Sequence, residues 1–200
     1  MTTSPKISEL LPEHAAQVAQ LHISAIGTGF ISSLGIDSVT ALYEAIAESE
    51  FGFGLVAQKA NKVVGFAAFA TNLGNLYKSV VFRKGLRLVL LTATRMFSFH
   101  RMKKALETLF YPTRAHKMHL PPAELLSIAV SEQERGRGLA AQLLQKGLGE
   151  CASRGIREIK VLVGADMTPA NRLYVKCGFE LVGQIDSHGI VSNVYTVKVS

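Results

Sequence analysis

Residues 124–153 constrain this fold more than any other stretch of the chain. Glu124 to Val130 is an apolar, β-rich run, a charged loop follows, and Gly136 and Gly138 open a segment of helical periodicity that lasts to Ser153. A second strand-like run, Glu158 to Val163, comes next. Strand, helix and strand in that order return the chain to the end from which it left, so the two strands lie parallel. The fold class that follows is a mixed α/β domain: a twisted sheet, parallel at its centre, with helices on its faces.

The flanks supply the remaining elements. Lys6 to Leu10 predicts a first strand, and Pro12 to Ile26 a helix with Ala15, Val18, Leu21 and His22 on one stripe. A glycine-punctuated loop from Gly27 to Gly35 leads to a helix capped by Asp37 or Ser38 and running to about Ala47. Phe51 to Gln58 and Lys62 to Ala70, joined at Ala60-Asn61, read as a hairpin. A short helix from Thr168 to Lys176 precedes strands Phe179 to Ile185 and Val191 to Val199, which the turn at Ser187-His188-Gly189 makes antiparallel. Leu86 to Ala93 and Phe99 to Leu109 predict two amphipathic helices between the halves. We expect one domain over residues 1–200, with a basic helical insertion at about 76–120.

Composition excludes several classes. With 48% apolar and 18% charged residues the chain has enough material for a core, unlike a disordered segment. Cys151 and Cys177 are too few for a disulfide framework and have no metal-ligand spacing, so no metal is expected. Met1 to Lys6 lacks the basic segment and apolar run of a signal peptide, and no stretch has the ~18 apolar residues of a membrane span. The expected location is the cytoplasm.

The segment between the two halves of the sheet holds most of the charge. From Leu76 to Leu120 there are ten basic residues and one acid, Glu107, so this segment carries +9 while the whole chain carries +7.

Chemistry enters through the loop after Val130. Glycines let the backbone approach a ligand closely and take positive φ, so that several N–H groups converge on one spot. The helix start adds unpaired N–H groups and the positive end of its dipole, making a receptor for a phosphate or pyrophosphate. Gly136, Gly138 and Ala141 also satisfy the dinucleotide fingerprint G-x-G-x-x-A. That rival fits poorly: Ser131 to Arg135 separate the strand from the first glycine, and a hairpin precedes the unit.

Gln133-x-x-Gly136-x-Gly138 after an Ile-Ala-Val strand resembles the acyl-CoA pyrophosphate loop of the GNAT superfamily of N-acetyltransferases. Thr168 to Phe179, with Tyr174 and a closing Gly178-Phe179, resembles that family's second signature. The resemblance covers roughly Glu124 to Ile185 and implies an acyl-CoA N-acyltransferase-like fold and an enzyme using acetyl-CoA as co-substrate. It places the cofactor against Ile128, Ala129, Val130, Gln133, Arg135, Gly136, Arg137, Gly138, Leu139 and Ala140, with Asn171 as a further contact or a plain surface asparagine.

Acetyl transfer by direct attack, through a tetrahedral intermediate, has stated requirements. The developing oxyanion needs donors, which the family takes from backbone N–H groups of the strand that is Ile128-Ala129-Val130 here. The departing thiolate needs a proton; Tyr174 is the expected general acid, against the alternative of a core tyrosine. The attacking amine, with a pKa near ~10.4 if it is like lysine, must lose a proton. Glu124 is the candidate base, directly or through a water, and His116 and His119 are alternatives. Family members that acetylate protein N-termini often carry a glutamate where this chain has Leu162, and an asparagine where it has Met167.

The expected acceptor is a primary amine of a small molecule, with an anionic amino sugar or sugar nucleotide as one reading and a peptide or protein amine as the other. The basic insertion fits attraction of an anionic acceptor, peripheral membrane contact, or a solvated cap. Its aromatics match no nucleic-acid module, so no nucleic acid is expected. A non-catalytic acyl-CoA-binding or membrane-surface module is the alternative of another class.

Overall fold

The computed structural model describes residues 4–27, 30–82, 119–187 and 190–200. Seven strands form one sheet: β1 (Lys6–Glu9), β2 (Gly52–Lys59), β3 (Lys62–Ala70), β4 (Glu124–Val130), β5 (Glu158–Gly164), β6 (Glu180–Ser187) and β7 (Ile190–Lys198). Their spatial order is β1-β2-β3-β4-β5-β7-β6. Every pairing is antiparallel except β4 with β5, the pair that the strand–helix–strand pattern required.

The helices are α1 (Ala15–Ala25), α2 (Phe30–Ser33), α3 (Ile36–Glu48), α4 (residues 73–82), α5 (Leu139–Ser153) and α6 (Thr168–Lys176). Strand alternation divides the core in two. Phe66, Ala68 and Ala70 of β3 pack with Val18, Val39, Tyr43 and Ile46 under α1 and α3. Ala67 and Phe69 of the same strand face Leu143, Leu144 and Cys151 of α5, joined by Leu125, Ile159 and Val161. The α5 contact is close, for a Cβ at Gly147 would lie 2.1 Å from the Phe69 ring.

Several expected boundaries shift. The span from Gly27 to Gly35 is not all loop, since α2 makes a helical turn within it. The cap of α3 is Gly35 at φ +85°, not Asp37 or Ser38; those two lie inside the first turn, where Asp37 meets the positive end of the helix. The long helix starts at Leu139 rather than Gly136, because Gly136 and Gly138 sit at φ +74° and +79°. In the hairpin, Ala60 and Asn61 are both at positive φ (48° and 61°), the signs a two-residue turn of matching twist demands. Helix α4 begins ahead of the expected insertion boundary, burying Leu73, Leu76 and Val80. The amphipathic helices expected at Leu86 to Ala93 and Phe99 to Leu109, with His116, lie outside the described residues. Among the described residues no helix is long and apolar enough to cross a membrane.

Candidate active site

The site begins where two strands part. β4 and β5 pair only at Glu124–Lys160 and Leu125–Val161. Beyond those rungs β5 follows β7 to Gly164 and β4 follows β3 to Val130, so a gap opens between them. A bulge sharpens the divergence. Leu125 pairs with Phe69 and Ser127 with Ala68, which leaves Leu126 without a rung. Leu126 and Ser127 consequently both serve the α1/α3 face: Leu126 packs in that core, and Ser127 Oγ lies 2.8 Å from Tyr43 Oη.

The bulge also determines which amides face the gap. Ser131 N–H donates to Val64 O at 2.8 Å. Alternation along β4 then directs Ala129 N–H to β3 and leaves those of Ile128 and Val130 on the open side.

The glycine loop continues from there. Its two positive-φ glycines carry the chain from a short 3-10 turn, Glu132–Glu134, into α5. A Cβ built at Gly136 or Gly138 would meet nothing within 4 Å, so the space before the loop is open. Among the described residues no backbone carbonyl takes the N–H of Gly136, Arg137, Gly138, Leu139 or Ala140. Together with the helix dipole, these amides suit the pyrophosphate of an acyl-CoA.

The loop is braced by a residue that pattern reading passed over. Glu134 accepts from Lys59 Nζ at 2.6 Å through one oxygen and from Arg137 at 3.1 Å through the other. The Lys59 hydrogen bond, with both cations close by, holds its carboxyl below the usual range. Arg135 Nε donates to Val130 O at 3.3 Å. Both arginines are therefore tied to the loop's own frame. Gln133 sits in the 3-10 turn, exposed.

Glu124 stands behind the closed end of the gap, on the first of the two rungs that join β4 to β5. It is 9% exposed, and its Oε2 has no hydrogen-bond partner. Lys160 Nζ is 3.5 Å from that oxygen, near enough for attraction, but donates its hydrogen bond to Pro121 O. Burial pushes the Glu124 carboxyl up to about 7 against the opposing pull of Lys160, and burial lowers Lys160. The carboxylate lines a cavity of about 240 Å³ on the α1/α3 face, walled by α3, α4, Leu126, Ser127 and Leu162. A carboxylate from β4 thus serves the same cavity as the position on β5 occupied by Leu162.

A polar chain leads away from this cavity. His22 Nδ1 lies 2.6 Å from Tyr43 Oη, which continues to Ser127 Oγ. Burial lowers His22 to about 4, so its imidazole is neutral at physiological pH. Two buried polar groups, His22 and Tyr43, thereby fix Ser127 beside the bulge, where it faces the cavity. The sequence carried a signal for them: His22 lies in an apolar helical stripe and Ser127 in the middle of an apolar strand.

Tyr174 occupies the opposite face of the sheet. Its ring packs against Phe179 and Tyr195, with centroids at 5.6 and 6.1 Å. Burial raises its phenol, which keeps it protonated, and among the described residues its hydroxyl has no hydrogen-bond partner. Asn171 is fully engaged within the fold. Its Nδ2 donates to Gly164 O and Met167 O, and its Oδ1 accepts from Asn193 and Tyr195. It fastens α6 to the ends of β5 and β7. His119 lies in the turn before β4 at φ +52°, exposed and outside the cavity wall. The thiols are poor nucleophiles here: burial pushes Cys151 up to about 12 and raises Cys177.

Comparison with known proteins places this geometry. The family model for the acetyltransferase (GNAT) family matches residues 30–179. Mycothiol acetyltransferase of Corynebacterium glutamicum (strain R) is 39% identical over 64 residues, 32% of this chain and 22% of that protein. The enzyme of that name from Catenulispora acidiphila is 37% identical over 59 residues, 30% of this chain and 19% of that protein. The chain thus matches about a fifth of the length of these curated relatives. An N-acetyltransferase from Staphylococcus aureus Mu50 superposes with a TM-score of 0.65 at 19% identity, covering 99% of this chain and 100% of that one. The ribosomal-protein-S18-alanine N-acetyltransferase of Escherichia coli gives 0.61 at 14%, covering 98% and 94%. A Salmonella typhimurium acetyltransferase, yncA, solved with acetyl-CoA, gives 0.63 at 16%, covering 99% and 95%. At these identities the structural likeness speaks for the fold.

Proposed function

The chain belongs to the GNAT acetyltransferase family, whose acyl donor is acetyl-CoA, and on that premise we propose that it acetylates the primary amine of a small acceptor seated beside Glu124. One observation carries the reading. The gap between β4 and β5 links two features: the unpaired loop amides past its open, Val130 end and, beside the rungs that close its other end, a buried carboxylate with one oxygen lacking a hydrogen bond.

Each residue then has a task. The amides of residues 136–140 hold the pyrophosphate, and the positive end of α5 favours its charge. The N–H groups of Ile128 and Val130 face the place where the thioester carbonyl enters, positioned to stabilise negative charge as it develops. Glu124, near neutrality in its pKa, takes the proton of the amine directly or through a water. Tyr174, protonated and on the other side of the gap, delivers a proton to the departing sulfur.

The acceptors left open by the sequence were an amino sugar, a sugar nucleotide and a peptide amine. The curated relatives are named mycothiol acetyltransferase, but the shared stretch is too short to bring their acceptor to this chain.

The test is Tyr174→Phe. Calorimetry should give an acetyl-CoA affinity close to wild type, while kcat for free-thiol release falls by about 10²-fold or more. Unchanged turnover removes Tyr174 from the chemistry. Acetyl-CoA binding with no thiol released for any amine points to the non-catalytic module instead.

A further inference from the structure

We propose that the acceptor is a compact, apolar primary amine, an alkyl- or arylalkylamine, whose nitrogen meets Glu124 and Ser127 while its hydrocarbon body fills the cavity between α3, α4 and the parted strands. This rests on the acetyl-transfer reading above and gives that site a substrate class.

The cavity wall carries the argument. Leu42, Ile46, Val80, Leu126 and Leu162 give it a hydrocarbon surface. Its polar groups among the described residues are Glu124, Ser127 and the phenols of Tyr43 and Tyr77. Glu124 presents an oxygen with no hydrogen bond, and Ser127 Oγ already has a partner in Tyr43 Oη. A primary amine supplies a hydrogen-bond donor for the Glu124 oxygen, which has so far only the attraction of Lys160 at 3.5 Å. At about 240 Å³ the cavity is smaller than the ~300–1,000 Å³ typical of drug-sized ligands, so the body it encloses is short.

The same wall disfavours the charged and hydroxylated acceptors considered from the sequence. A sugar brings several hydroxyls, each of which loses water and needs a partner, and the described wall offers few beyond Glu124 and Tyr77 once Tyr43 and Ser127 are bonded to each other. A phosphorylated sugar or sugar nucleotide brings anionic charge toward a buried carboxylate. No lysine or arginine is among the described lining residues to offset it, and Lys160 is committed to Pro121 O and Glu124.

The experiment measures kcat/KM by thiol release for the full-length protein. The acceptors are the n-alkylamines from propylamine to hexylamine, 2-phenylethylamine, glucosamine, glucosamine 6-phosphate and a short peptide with a free N-terminus. Activity should rise about fourfold per methylene, the factor to which the ~0.8 kcal/mol transfer energy of one CH₂ converts, until the cavity is full. The best alkyl- or arylalkylamine should exceed glucosamine by at least 100-fold. Leu42→Phe, which fills part of the cavity, should move the optimum to a shorter amine.

A flat alkyl series, or preference for glucosamine, its phosphate or the peptide, overturns the substrate class and leaves the donor reading intact. The same holds if acetyl-CoA binds and no alkylamine releases thiol. If acetyl-CoA does not bind, the donor reading fails, and calorimetric binding of hexylamine against glucosamine then decides the cavity's preference by itself. Tighter glucosamine binding would overturn it.

Discussion

At the scale of single residues, the balance between burial and pairing decides what Glu124 does. Desolvation wins over Lys160, so its carboxyl is raised to about 7. In the proposed reaction the active form is the carboxylate, so kcat/KM, corrected for the fraction of free amine, should fall about tenfold per pH unit below roughly 7 and level off above it. Glu124→Gln should remove that limb and lower kcat by about 10²–10⁴-fold; a variant that keeps both rate and limb excludes Glu124 as the base. The substrate amine's own titration near ~10 persists in the variant and separates the two effects. His22 has the opposite shift, from 6.5 down to about 4. Its stabilising contribution is complete above pH 6.5 and is lost as pH falls toward 4, because the unfolded chain takes up the proton first. His22→Asn retains a hydrogen-bonding atom for Tyr43 but cannot titrate. The stability gap between wild type and variant in urea should narrow by about 2–3 kcal/mol from pH 7 to 4, and a constant gap would show that His22 titrates normally. Glu124 was visible in the sequence as an acid opening an apolar strand. The roles of Ser127, Tyr43 and Lys160 were hidden, because a bulge at Leu126 decides which face Ser127 takes and periodicity assumes no bulge.

The elements show where glycine is indispensable and where it is merely tolerated. Gly138 at φ +79° makes the N-terminal boundary of α5, and the space beside it is empty, so an added methyl is opposed by backbone conformation rather than by contact. Gly138→Ala should cost about 1–2 kcal/mol in that conformation and weaken acetyl-CoA by roughly tenfold in calorimetry. Gly149→Ala, on the open side of the same helix, is the control and should leave binding unchanged. Gly147 is a different case. Alanine would gain ~1 kcal/mol of helix propensity, yet its Cβ would lie 2.1 Å from the Phe69 ring, and overpacking of that kind typically costs ~1–3 kcal/mol. We expect the clash to win, with a net loss of up to about 2 kcal/mol in urea denaturation. Strand β4 and helix α6 had their ends legible in the sequence, Glu124–Val130 and Thr168–Lys176, because apolar runs there stop at clear punctuation. The start of α5 was misplaced by three residues, since Gly136 and Gly138 carry no side chain to show that the loop has not yet become helix.

For the molecule as a whole, the order of elements was readable and their spatial consequences were less so. One parallel rung-pair in an otherwise antiparallel sheet follows from the strand–helix–strand unit. That β4 and β5 separate after two rungs does not, because each strand keeps its pairing with its other neighbour and neither sequence marks the divergence. The charge of the inserted segment drew attention toward anionic acceptors, whereas the described cavity wall is mostly hydrocarbon, and wall composition depends on which side chains α3 and α4 turn inward. The parting of β4 from β5 makes a window through the sheet, with Glu124 serving one side and Tyr174 the other. Donor and acceptor can therefore approach through separate doors and be present together. In the proposed reaction neither product then has to wait for the other to leave, and the acyl group needs no covalent stop on the protein.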